Sequence, residues 1–302
     1  RLLSACAGTI LRQGQANEGD LPAGFCAVCI REEAFRAAVN RALRAQESQL
    51  LALQRSEEAR EISRALLGQL ARFLRAAGQK RPDKGIPRYQ LSLGVRAVGL
   101  RGDTLCGDCG TSFQCGATQY VLLCDGMGTG RPAAVDGNLA AELTARLLKA
   151  GFTAELAARL VNVALALKSE DESGATLDLI SVDLYTGTAR LFKAGAAPGF
   201  LVHGGRVRAV GDTSLPVGIL GGVNGQSRVV HLTVGDYVVL VSDGLLVDGP
   251  GWVAKQLELS AAAGEAPEKV AKTLVETARV RAQKTGRPDD ITAAVLRLEK
   301  CV

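Results

Sequence analysis

The feature that most restricts the fold is a run of short apolar segments crowded between Ala175 and Ser242. Residues 177–184, 188–193, 199–203, 206–210, 227–233 and 236–241 each read as a strand, bounded by Gly, Pro, Asp or Asn. A parallel neighbour needs a crossover of a dozen or more residues, and all but one of the gaps are too short for that. The strands must therefore turn back on themselves as antiparallel hairpins. Two helices are expected before them, at 132–149 and 154–167, and two after them, around 254–259 and 267–283. Tyr89, Leu91, Leu93, Val95 and Ala97 alternate with other residues as a half-buried strand does, 119–124 gives a second early strand, and 291–298 gives the last. The expectation is an α+β domain with helices layered on antiparallel sheets.

Ahead of this domain, residues 31–67 contain neither Gly nor Pro and are dominated by Ala, Leu, Glu, Gln and Arg, which predicts a long helix. Phe35, Val39 and Leu43 continue one apolar stripe; Ile62, Leu66, Leu70 and Phe73 or Leu74 form another. Carried to Ala77, the helix would reach about 70 Å at ~1.5 Å per residue. It reads either as a connecting or dimerising rod or as an amphipathic helix packed on its own domain, and its heptads are too irregular to choose. A stretch rich in Gly, Pro and charge, 78–87, ends it. The organisation expected is an N-terminal segment at 1–30, a helical linker or dimerisation region at 31–80, and a catalytic domain at 86–299.

Composition removes several classes of function. With 47% hydrophobic residues the chain can bury a large core, and 36 Lys and Arg against 31 Asp and Glu is too mild a surplus to indicate nucleic acid. No apolar stretch approaches the ~20 residues that cross a bilayer. The sequence starts at Arg1 with no signal segment after it, which suggests a piece of a longer protein and leaves membrane attachment to a segment outside it. Eight cysteines do not make a disulfide scaffold at this length, so a reducing cytoplasm is the simpler setting.

Aspartates recur where predicted strands end: Asp108 in Cys-Gly-Asp-Cys, Asp125 in Asp-Gly-Met-Gly, Asp243 in Val-Ser-Asp-Gly, and the pair Asp289-Asp290 before Ile-Thr. A lone Asp-Gly is ordinarily a turn. Here two apolar strands, Tyr-Val-Leu-Leu-Cys and Val-Val-Leu-Val-Ser, each deliver an Asp-Gly to a sheet edge, where two bound ions could share the carboxylates. Oxygen is the only donor type offered, which suits Mg²⁺ or Mn²⁺ rather than zinc.

Asp-Gly-Met-Gly-Thr-Gly, Ser-Asp-Gly and Asp-Asp-Ile-Thr, in this order and at these separations, resemble the metal motifs of the protein phosphatase 2C superfamily. Thr176-Leu-Asp-Leu, Asp183-Leu, Ala194-Gly-Ala-Ala-Pro-Gly-Phe and Leu215-Pro-Val-Gly-Ile narrow the resemblance to its bacterial branch, the stage II sporulation protein E family, over about 88–299. The resemblance implies an α/β/β/α sandwich with a two-metal centre at one end of the sheets, preceded by a helical regulatory segment. By motif position, Asp125 would bridge the ions and the Gly126 carbonyl would touch one, with Asp243 and Asp289 completing one ion's ligands. Asp108 matches the family's early Gly-Asp motif ahead of its competitor Asp103, and Asp290 would stand behind the ligands or at an accessory metal.

The same resemblance implies a protein serine/threonine phosphatase acting through metal-activated water, with no phosphoenzyme. Its substrate would be a phosphoserine on an anti-sigma factor antagonist, whose dephosphorylation activates a sporulation sigma factor. Homodimerisation through the helix is implied too, and Val161–Leu167 could form part of a switch. The alternatives are a stress-response phosphatase of the same superfamily and a catalytically weak scaffold. Neither His203 nor His231 lies in a motif, and no residue matches the phosphate-clamping Arg or the His acid of eukaryotic relatives.

Two other patterns compete. Gly126-Met-Gly-Thr-Gly130 after a strand is the local setting of a dinucleotide loop, but Arg131 stands where a further Gly is wanted and no alternating βαβ pattern follows. Cys26/Cys29 and Cys106/Cys109, with Cys115 near, are C-x-x-C pairs spaced too far apart for an ordinary shared zinc site, and read as reduced thiols.

Overall fold

The computed structural model describes residues 4–26, 32–77, 85–99, 106–128, 130–168, 174–211, 214–219, 225–286 and 289–301. The chain forms two compact units, Arg1–Arg64 and Ala65–Val302. Helices α1 (Ser4–Gln13) and α2 (Ala23–Cys26) lie in the first and precede α3 (Glu32–Ala77), a single helix of 46 residues as the sequence predicts, whose first part, to Arg64, belongs to this unit. Ile10, Ala16 and Leu21 are buried against Phe35, Val39 and Leu43. Asn40 locks this packing: its carboxamide accepts from the Ala16 amide at 2.7 Å and donates to the Ala16 carbonyl at 3.1 Å. The first stripe offered to a partner is thus occupied by the chain's own preceding segment, whose two short helices the sequence did not foreshadow. The side chains of Leu70, Phe73 and Leu74 and most of the predicted linker lie outside the described residues.

The second unit contains, in chain order, β1 (Tyr89–Val98), β2 (Asp108–Cys115), β3 (Thr118–Asp125), α4 (Gly130–Lys149), α5 (Ala154–Lys168), β4 (Leu177–Asp183), β5 (Thr188–Ala194), β6 (Gly199–His203), β7 (Arg206–Val210), β8 (Gln226–His231), β9 (Tyr237–Val241), α6 (Gly251–Ala262), α7 (Pro267–Thr285) and β10 (Ile291–Lys300). They make two five-stranded sheets, ordered β1-β10-β9-β6-β7 and β2-β3-β4-β5-β8, with antiparallel pairing throughout.

Three apolar layers hold the sheets and helices together. Val121, Leu123, Ile180 and Val182 of one sheet meet Val238, Leu240, Leu296 and Leu298 of the other. The outward residues Leu122, Cys124, Leu179 and Phe192 are covered by α4 and α5. Val239, Val241, Ala293 and Val295 are covered by Leu257 of α6 and Leu274 of α7. Central strands buried on both faces explain why β3 and β9 read as unbroken apolar runs instead of alternating. The result is the expected α/β/β/α sandwich. Because β3 is antiparallel to both its neighbours, the dinucleotide-loop reading fails.

Candidate metal centre

Strand register brings the first two aspartates together. Asp108 and Asp125 are opposed partners at the open end of the β2–β3 hairpin. Opposed residues on adjacent strands have Cβ atoms ~4.5–5.5 Å apart, and like charges there repel. Asp125 is held by its backbone: its amide donates to Thr176 Oγ1 at 2.9 Å, and its carbonyl accepts from the Thr176 amide at 2.7 Å. The next residue, Gly126, bridges Ala175, which in turn bridges Val217. Only glycine fits at 126, since a Cβ would lie 1.8 Å from the Ala133 carbonyl oxygen at the start of α4.

The other sheet supplies the rest. Strand β9 ends at Val241 opposite Ala293 of β10, so the turn at Asp243 and the Asp289-Asp290 pair emerge side by side. Asp243 Oδ1 accepts from the Gly244 amide at 2.8 Å, and Asp289 Oδ1 accepts from the Asp290 amide at 2.9 Å. A Cβ at Gly244 would strike the Asp290 carbonyl at 2.2 Å. Asp290 reaches across to the residue before β2, accepting from the Gly107 amide at 2.5 Å. A Cβ at Gly107 would sit 3.1 Å from Asp290 Oδ2 and 3.6 Å from Asp125 Oδ1, so these two carboxylates face one point.

Crowding of negative charge is written into the acidities. Burial, then the charges of Asp108, Asp243, Asp289 and Asp290, push Asp125 up to about 8. Asp108 is pushed to about 6, chiefly by burial; the nearby Thr292 and Ser242 hydroxyls oppose the rise, and Asp290 and Asp243 add to it. Those hydroxyls stop short of full hydrogen bonds, because both Asp108 carboxylate oxygens are buried with no partner. Asp289 is also raised, by burial first and then by Asp243 and Asp290.

These observations fit a cation. Buried carboxylate oxygens without donors, and neighbours that raise one another's pKa, are relieved by a positive ion and by little else among the described groups. The donors are oxygens alone, as hard divalent ions prefer. Among the described residues no three His, Cys, Asp or Glu side chains already stand in a closed ligating array. The acidic basin is bounded by Asp125 and Asp243, which line a cavity of about 40 Å³, and beside it Asp243 and Asp289 line a groove of about 680 Å³ with Gly244, Leu246, Asp248 and Thr285.

Of the residues singled out in the sequence, Asp108, Asp125, Gly126, Asp243, Asp289 and Asp290 all meet at this end of the sandwich. Asp103 and Cys29 lie outside the described residues. His203 pairs with Asp236 at 2.8 Å and His231 with Thr188 at 3.1 Å, both on strands and away from the basin. Cys106 does flank it, and burial with the charge of Asp108 pushes its thiol up to about 12. Thr176, quoted in the sequence only as the head of the Thr-Leu-Asp-Leu motif, and Ser242 and Thr292, within the Ser-Asp-Gly and Asp-Asp-Ile-Thr motifs, surround Asp125 and Asp108, and none was given a role.

Two antiparallel sheets between helix pairs, with acidic turns from both sheets at one end, define the domain of a PP2C-type protein phosphatase. The family model for Stage II sporulation protein E (SpoIIE) matches residues 116–299, and the chain belongs to that family. It is 28% identical over 217 residues to Stage II sporulation protein E of Bacillus subtilis (strain 168), covering 70% of this chain and 26% of the relative. The Priestia megaterium protein of the same name is 27% identical over 217 residues, covering 70% of this chain and 37% of the relative. The chain therefore spans between about a quarter and two fifths of these relatives' length. The solved PP2C phosphatase domain of B. subtilis SpoIIE, with a fragment of its regulatory domain, superposes with a TM-score of 0.64 at 26% identity, covering 72% of this chain and 66% of that one.

Proposed function

We propose that this chain is a metal-dependent protein serine/threonine phosphatase whose substrate is a phosphoserine on an anti-sigma factor antagonist, so that its action activates a sporulation sigma factor. One observation carries the reading: carboxylates from opposed sheets converge, and burial, together with the charges of Asp108, Asp243, Asp289 and Asp290, pushes Asp125 up to about 8. Asp125, Asp108 and the Gly126 carbonyl would hold ions from one side, and Asp243 and Asp289 from the other, with Asp125 shared. A bound pair of Mn²⁺ or Mg²⁺ supplies an acidified water as nucleophile and positive charge against the phosphoryl oxygens.

The chain's own groups do the remaining work. Asp125 must give up its proton to bind, and its backbone anchors to Thr176 keep the carboxylate aimed while it does so. Asp290, tied to the Gly107 amide, holds the two sheet edges at a fixed spacing. The groove beside Asp243 and Asp289 leaves room for a phosphoserine loop.

The test is phosphate release, from p-nitrophenyl phosphate and from a phosphorylated antagonist protein, with Mn²⁺ titrated in. Activity that depends on the ion and disappears in Asp125→Asn supports the reading; turnover unaffected by that change sinks it. For the 31–77 helix we propose a regulatory and dimerising role. Equal activity and oligomeric state in a chain beginning at Arg88 would remove it. Among the described residues no helix is long and apolar enough to cross a membrane.

A further inference from the structure

Behind the acidic basin lies an ion pair that no part of the proposed chemistry uses. Lys193, at 4% exposure, and Asp178, at 1%, are the most deeply buried pair of opposite charges among the described residues. The Lys193 ammonium bonds Asp178 Oδ2 and also donates to the Ala197 carbonyl at 2.8 Å. Asp178 Oδ1 is buried with no partner. Both residues adjoin, or lie on the wall of, a cavity of about 40 Å³ that Asp178 lines together with Asp125, Thr176, Ala197, Ser242 and Asp243.

The elements joined here are the ones that deliver the metal-facing aspartates. Asp178 sits on β4, two residues beyond the Thr176 that anchors Asp125. Ala197 belongs to the crossover from β5 in one sheet to β6 in the other. Strand β6 pairs with β9, the strand that ends at Asp243, and a Cβ at Gly199 would lie 2.7 Å from the Val239 carbonyl and 3.5 Å from the Lys193 ammonium. One ammonium group therefore ties β4, behind Asp125, to the crossover leading into β6, whose neighbour β9 ends beside Asp243. The apolar layer between the sheets is non-directional, whereas this ammonium makes hydrogen bonds to β4 and to the crossover that connects the two sheets.

We propose that Lys193 and Asp178 are positioning residues that set the distance between the Asp125 and Asp243 carboxylates, and through it the affinity of the centre for divalent ions. The inference rests on the metal-centre reading above. A buried pair loses most when one partner is removed, and often little when both are replaced by apolar groups of similar size. The informative variants are consequently doubles: Asp178→Leu with Lys193→Met, and the neutral hydrogen-bonding pair Asp178→Asn with Lys193→Gln.

The experiment measures Mn²⁺ binding to the full chain by calorimetry, together with thermal unfolding, for the parent, Asp125→Asn and both doubles. The expected result is a double that unfolds near the parent temperature yet binds Mn²⁺ about tenfold more weakly or worse, as loss of supporting contacts around a metal does. A folded double with parental Mn²⁺ affinity overturns the inference while leaving the metal centre standing. Unfolding of both doubles also overturns it, because the pair would then serve folding alone. If Asp125→Asn binds Mn²⁺ as the parent does, the metal-centre reading itself has failed.

Discussion

Asp108 and Asp125 leave the β2–β3 hairpin as opposed partners, one buried and one half-buried, whereas Asp243 and Asp289 stand exposed at the ends of β9 and β10. The inner pair is pushed up to about 6 and about 8, mainly by burial. The outer pair each accept the amide of the following residue, a local bond that steadies a carboxylate in water. One wall of the basin thus stores unfavourable charge in a fixed ladder, and the other presents solvated charge on short turns. A metal centre built this way would draw its affinity from the inner wall and its access from the outer one.

The largest expected effect separates the two walls directly. Asp125→Asn should lower kcat/KM by on the order of 10³-fold, and Asp289→Asn by roughly tenfold less, each read from Mn²⁺-saturated initial rates. Equal losses would break the comparison. Next in size is Gly126→Ala, whose Cβ has backbone 1.8 Å away; unfolding should be easier by ~1–3 kcal/mol or more. Gly107→Ala meets only the movable Asp290 carboxylate at 3.1 Å, and denaturant titration should show a much smaller cost.

Acidity gives a third contrast. Asp125 is raised from 3.8 to about 8, so the folded chain binds its proton more tightly than the unfolded chain does. That contribution to stability is full below pH 3.8 and is lost as pH rises through about 8. Melting of the metal-free chain should accordingly move to lower temperature across this window, and Asp125→Asn should flatten the slope. A slope unchanged by the substitution would mean that the repulsion lies elsewhere. The smallest effect is expected for Asp290→Asn, which keeps an acceptor for the Gly107 amide: about a tenfold loss in Mn²⁺ affinity by calorimetry, with stability nearly unchanged.

Much of this was legible because the same physics shapes sequence and fold. The hairpin spacing forced antiparallel sheets, and the apolar runs of β3 and β9 announced strands covered on both faces. The aspartates of Asp-Gly-Met-Gly, Ser-Asp-Gly and Asp-Asp-Ile-Thr could be grouped because each follows or precedes such a run. Strand β2 was missed: Asp-Cys-Gly-Thr-Ser-Phe-Gln-Cys lies at a sheet edge with one face open, so it lacks the apolar signal. Its loss hid the register that opposes Asp108 to Asp125. The pairing of Lys193 with Asp178, the Asp of the Thr-Leu-Asp-Leu motif, was unreadable for a different reason, since a charge inside a strand gives no sign of the partner it will find across a ladder.

The placement of β1 bears on how the domain is made. Its ten residues, Tyr89–Val98, pair with β10, Ile291–Lys300, and among the described residues β1 has no strand on its other side. During synthesis the first strand of the domain must wait for the last, presenting unsatisfied backbone on both edges while almost the whole domain is translated. A ribosome stalled before residue 291 would carry a nascent chain that already owns the β2–β3 hairpin but cannot close its outer sheet.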